Sequence, residues 1–178
     1  MINSYYNFFN GDKQALKVII DRFSQPLFYF IFNFVKDEFV SEDILEDVFL
    51  AIIVKKRIFK NENAFKSYLF SIARNKSINY IKRSQSRFVL LEDKVVGESG
   101  SPENMIEEKF DVSVIQTALK KLSSDYYAVI YLSYFEELKN PQIAKIMKKS
   151  TKQVENLLFR AKAKLKNILT EDGYEKVN

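Results

Sequence analysis

The chain has 178 residues, 47% of them hydrophobic and 29% charged, with a formal net charge of +5. That balance suits a soluble protein of one large or two small domains. With no Cys and no His, thiol catalysis, disulfides, zinc sites and His-dependent triads are excluded. Carboxylate-only magnesium chemistry would lack a glycine-rich loop to cradle phosphate, so no enzyme, metal, cofactor or small-molecule substrate is expected.

Four Gly and three Pro leave few tight turns, which favours long helices and an all-α fold. The first helix is predicted to start at an Asp12 cap and run through Ala15, Leu16, Val18, Ile19, Ile20 and Phe23. Pro26 is expected to kink it before the aromatic run at 27–35. That run is the most apolar stretch but falls short of the ~18–20 residues needed to span a bilayer, so no membrane insertion is expected. The N-terminus has no basic n-region or small-residue cleavage site, which points to the cytoplasm. Ser41 is predicted to cap a second helix, SEDILEDVFLAIIVKKR, with acids first and bases last, as the helix dipole favours. Its outer face would carry Glu42, Asp43, Glu46 and Asp47.

After a loop at 58–63, a third helix is predicted over 64–83. Its core face would use Phe65, Leu69, Ile72, Ala73, Ile78 and Ile81. The other face mixes bases, amides and aromatics: Lys66, Tyr68, Arg74, Asn75, Lys76, Asn79, Tyr80, Lys82 and Arg83. Bases grip phosphates, aromatic rings stack unpaired bases and amides read base edges, so this face suits opened DNA. Residues 61–87 carry six bases against Glu62, whereas 88–117 carry two bases against seven acids. The second stretch reads as a flexible acidic linker, at least around Gly97 and Gly100. Further helices follow from Ser101 and Pro102, with Ile115, Ala118, Leu119 and Leu122 facing inward, and then from Ser123 or Ser124, with Tyr127, Val129, Ile130, Tyr131 and Tyr134 at helical spacing.

Residues 141–169 predict two helices at a sharp turn. Asn140 would cap the first with Pro141 in its first turn, and Ser150 with Gln153 forms an S-x-x-Q capping box for the second. Val154, Leu157, Leu158, Ala161, Leu165, Ile168 and Leu169 make its apolar stripe. Lys152, Gln153, Asn156, Arg160, Lys162, Lys164 and Lys166 occupy the opposite side against Glu155. A short helix, a turn and a longer basic helix is the pattern of helix-turn-helix DNA readers; an ordinary helical hairpin with a solvated lysine face fits the same spacing.

Taken together, SEDILEDVF, FKSYLFSIARNKSINYIKR and QIAKIMKKSTKQVENLLFRAKAKL resemble, in order, three segments of the extracytoplasmic-function sigma factors of bacterial RNA polymerase, within the sigma-70 family. These are the polymerase-binding helix, the promoter-melting and minus-ten-reading helix, and the minus-thirty-five-reading helix-turn-helix. The resemblance covers roughly residues 10–170. It implies a region-two-like domain at 1–87, a linker at 88–112 and a region-four-like domain at 113–178. It departs from the family at Tyr68, usually Trp; at Asn79, usually Asp; at Glu46, usually Gln; and at Lys148 and Lys149, usually Gly-Ile.

The resemblance further implies partners and roles. Asp43, Glu46 and Asp47 would face core RNA polymerase, with Phe49 packing nearby. Asn61, Asn63, Arg74, Asn75, Asn79, Tyr80 and Arg83 would hold the minus-ten strand of promoter DNA. Lys152, Gln153 and Asn156 would enter the major groove, with Arg160 and Lys164 on phosphates; Gln and Asn pair well with adenine, which suggests some A·T preference. An anti-sigma partner is common in the family. The acidic linker would be a solvated tether, or would occupy basic polymerase channels or shield the DNA faces. The rival readings are a stand-alone helix-turn-helix regulator and a helical protein-interaction module.

Overall fold

The computed structural model describes residues 2–90 and 110–172, which divide into two compact units, Met1–Gly100 and Ser101–Asn178. Among the described residues there is no strand.

The first unit holds α1 (Ile2–Phe9), α2 (Lys13–Val35), α3 (Glu38–Val54) and α4 (Glu62–Leu90). α1 was not expected: at eight residues it is too short to persist alone, and Tyr5 anchors it, 1% exposed, against Phe65 at 5.0 Å. Asp12 caps α2, its carboxylate accepting from the N–H groups of Gln14 and Ala15 at 2.9 and 3.3 Å. The helix continues through Pro26 as one element. Ala15, Ile19, Phe23, Leu27, Phe30, Ile31 and Phe34 form its buried stripe, packed on α1, α3 and α4. Fully burying a Leu, Ile or Phe side chain is worth about 1.5–3 kcal/mol.

Two boundaries differ from expectation. Asp37, not Ser41, caps α3 by accepting from Val40 N–H at 3.0 Å; Ser41 lies buried inside the helix, its hydroxyl donating to Asp37 C=O. α4 starts earlier and runs past Arg83 to Leu90. The middle of the expected linker, 91–109, and a helix start at Ser101 and Pro102 lie outside the described residues, while the linker's ends at 88–90 and 110–112 are helical.

The second unit contains α5 (Phe110–Lys120), α6 (Ser124–Ile130), a π-helical turn (Tyr131–Phe135), α7 (Asn140–Met147) and α8 (Thr151–Glu171). In the π turn Glu136 N–H donates to Tyr131 C=O at 3.1 Å, five residues back. The wider turn shifts the face, so Tyr127, Ile130 and Tyr131 stay buried while Tyr134 turns out to 54% exposure. Lys139, one residue before the expected Asn140, is the cap position of α7; its N–H donates to Gln142 Oε1 at 2.9 Å. α7 ends at Lys148, which is left-handed at φ 54°. The capping box of α8 forms as expected: Gln153 N–H donates to Ser150 Oγ at 3.1 Å and Ser150 N–H to Gln153 Oε1 at 2.7 Å. Val154, Ala161 and Ile168 are its buried positions.

Candidate nucleic-acid interface

α8 displays the exposed basic and amide face that its spacing predicts. Lys152, Gln153, Asn156, Arg160 and Lys164 are all exposed, and Gln153, Asn156 and Arg160 line one shallow groove with Lys149 and Leu157. Lys152 has Glu155 at 3.7 Å as its surface partner. Sequence reasoning passed over Phe159, which is 76% exposed. It falls one turn beyond Asn156 and outside the buried stripe of Val154, Ala161 and Ile168, so its off-stripe position was the available signal.

In the first unit α4 presents Asn79, Tyr80 and Arg83 outward, with Asn75 half-exposed. Arg74 is a correction: at 8% exposure it lies inside rather than on the outer face. Asn61 is exposed, but its Oδ1 accepts from Ala64 N–H at 2.9 Å and so caps α4. Asn63 is exposed, and its C=O takes the Ser67 hydroxyl at 2.7 Å. The preceding loop is held from beneath by α1. Tyr5 Oη donates to Lys55 C=O at 3.1 Å and accepts from Arg57 N–H at 2.8 Å. Tyr6 Oη donates to Phe59 C=O at 3.2 Å and accepts from Phe59 N–H at 2.8 Å. Burial is the main cause raising the Tyr5 phenol above its usual value of 10.0, opposed by the hydrogen bond from Arg57 N–H. Tyr68, where the family usually has Trp, lies 5.4 Å from Phe59 and carries the Arg57 guanidinium 4.8 Å above its ring.

Asp43, Glu46 and Asp47 are exposed along α3, on the outer face their spacing predicts. Phe49 is not part of that surface: it is 8% exposed and belongs to the core. Asp47 Oδ2 pairs with Lys76 Nζ of α4 at 2.7 Å. Asp43 and Asp47 share a groove with Lys76, Asn79, Tyr80 and Arg83, so the acidic and basic faces of this unit meet along one seam. Among the described residues no group of three or more acidic side chains could hold a metal, and no helix is long and apolar enough to cross a membrane.

These faces coincide with known family segments. Residues 19–87 match the sigma-70 region 2 model and residues 113–165 the sigma-70, region 4 model. The chain belongs to the sigma-70 family of RNA polymerase sigma factors. Within it, the chain is similar to sigma factors of the extracytoplasmic-function group. It is 26% identical over 153 residues to the ECF RNA polymerase sigma factor SigM of Bacillus subtilis, covering 83% of this chain and 91% of that protein. It is 23% identical over 172 residues to SigW of the same organism, covering 90% and 92%. Its fold is shared with the sigma factor RpoE of Bartonella quintana, solved in complex with the anti-sigma factor NepR. There the TM-score is 0.69 at 23% identity, over 89% of this chain and 96% of that one.

Proposed function

We infer that this chain is a sigma factor that binds core RNA polymerase and directs it to recognise and open specific promoters. The observation that carries this is the presence, in one chain and in the family's order, of the region 2 and region 4 segments. The exposed acidic face of α3 and the exposed polar faces of α4 and α8 add to it. We assign residues 1–87 to polymerase binding and minus-ten recognition, 88–112 to a tether, and 113–178 to minus-thirty-five recognition.

On this reading the protein makes and breaks no covalent bonds and works in the cytoplasm on promoter DNA. Asp43, Glu46 and Asp47 offer carboxylates to a basic helical surface of the polymerase. Asn75, Asn79, Tyr80 and Arg83, with Asn63 and the amide of Asn61, hold the minus-ten strand. Tyr80 offers a stacking platform, and stacking on an aromatic ring is worth about 1–3 kcal/mol per base. That offsets the few kcal/mol spent unstacking an extruded base. Arg74 supports this face from within. Lys152, Gln153, Asn156 and Phe159 meet base edges in the major groove, while Arg160 and Lys164 hold phosphates. Because RpoE is bound by an anti-sigma factor, we extend that class of partner to this chain.

Gel filtration with core polymerase should give a one-to-one complex, and run-off transcription on genomic fragments should then start at defined sites. A chain that bound a palindromic operator without polymerase, or bound no DNA in any state, would overturn the reading in favour of a stand-alone regulator or an interaction module.

A further inference from the structure

Lys148, Lys149 and Ser150 join α7 to α8. Lys148 turns the chain in its left-handed conformation, Lys149 N–H donates to Ala144 C=O at 3.0 Å, and Ser150 caps α8. The backbone that carries the Lys149 side chain is therefore set before any partner arrives. Where the family usually has Ile, this chain supplies an ammonium group. It is half-buried and borders the groove of Gln153, Asn156, Leu157 and Arg160. Its Nζ lies 3.3 Å from Asp125 Oδ2, in the first turn of α6, with side chains 31% and 41% exposed. A pair so open to solvent adds little to stability. What it does is hold a long, flexible side chain at the groove. The separation exceeds that of a strong charge-assisted hydrogen bond, so the hold is loose and the three ammonium donors are not exhausted.

We propose that Lys149 is a further base-reading residue of the second unit, donating to guanine O6 and N7 in the major groove of the minus-thirty-five element, with Asp125 as its positioning residue. The proposal rests on the minus-thirty-five assignment above and adds one base contact to it. A base edge fits better than a phosphate for two reasons. Lys149 stands directly ahead of the cap of α8, and the N-terminal end of the second helix is the part of a helix-turn-helix that meets base edges. The Asp125 carboxylate also offsets the lysine charge, which weakens its pull on a phosphate. A neutral acceptor depends more on where the donor is placed than on net charge. Lysine only donates, and guanine alone offers two acceptors side by side in the major groove, whereas the edges of adenine and cytosine carry a donor of their own.

The test uses holoenzyme formed with the full chain, on a promoter recovered by run-off transcription. Each base pair of the minus-thirty-five element is changed in turn to the other three, and binding is measured by competition. Wild type should prefer G·C at one position by about tenfold, as expected for a single mismatched pair. Lys149→Ile and Lys149→Gln should both erase that preference and leave those at the other positions within about twofold. Asp125→Asn keeps the lysine but releases it, so it should flatten the same preference while affinity stays within about twofold. Asp125→Glu should restore the preference. A pair that merely stapled the turn would not act at one base pair. Uniform weakening across all sequences by Lys149→Gln, with the salt slope lowered by about 1, would overturn the proposal in favour of a phosphate contact. Unchanged preferences in both Lys149 variants would overturn it as well, and either result leaves the sigma reading intact. A wild-type holoenzyme that starts no transcription would instead remove the sigma reading and the base contact with it.

Discussion

Lys148 occupies a left-handed backbone position at φ 54° and ψ 44°, where a Cβ costs about 1–2 kcal/mol. Its family usually has glycine there, and the sequence alone showed which residue would bear the strain if the turn kept its form. Lys148→Gly should therefore stabilise the second unit by about 1 kcal/mol, after glycine's greater freedom in the unfolded chain is subtracted, which urea unfolding would show as a raised midpoint. Tyr5 gives a second test. Its phenol is raised above 10.0 by burial, so the unfolded chain releases that proton first as pH rises. Its contribution to stability is complete below about pH 10 and declines above that. Tyr5→Phe should flatten this alkaline decline in unfolding experiments between about pH 9 and 11, while lowering stability at neutral pH through the lost bonds to Lys55 and Arg57. Some residue roles were legible in advance and others were not. The Ser150 and Gln153 box is purely local, so spacing revealed it. Arg74 and Phe49 were misplaced because neighbouring turns of one helix differ in burial only through the helices packed on them.

The same contrast holds for whole elements. α2 and α8 carry stripes wide enough to read directly, with strong caps at Asp12 and Ser150. α3 exposes Phe39, Leu50 and Val54 as well as its acids, so apolar residues are not confined to its buried face. Its periodicity is therefore weak, and the start fell to Ser41 instead of Asp37. α1 has no cap signal and exists by tertiary contact, and the π turn is set by packing rather than by any residue pattern. The seam between α3 and α4 yields a prediction at this scale. The pair between Asp47 and Lys76 lies at the surface, with side chains 54% and 34% exposed, so breaking it with Asp47→Asn should change stability by no more than about 1 kcal/mol. Asp47→Lys sets two ammonium groups together and reverses the docking charge. It should abolish the polymerase complex in gel filtration while circular dichroism stays helical; a normal complex from that variant would remove Asp47 from the docking face.

At the scale of the molecule, the described residues divide into two units, each with its own buried apolar set. Calorimetry of the full chain should resolve two transitions, one for each unit. Lys148→Gly should move the transition of the second unit alone. A single transition shifted by the variant would mean that the units unfold together. Family order, two basic modules and an acidic stretch were all visible in the sequence; the pinned loop at 55–60 was not, because the partners that hold it lie some fifty residues away in α1.

Because Ser150 N–H binds Gln153 Oε1 at 2.7 Å, the plane of that carboxamide is locked before DNA arrives. Its NH2 group is then the freer hand. A locked amide of this kind favours guanine N7 and O6 or thymine O4, which accept hydrogen bonds, over the two-way pairing that adenine demands. The nucleotide preference of the second unit would thus owe as much to how α8 begins as to which residues line it.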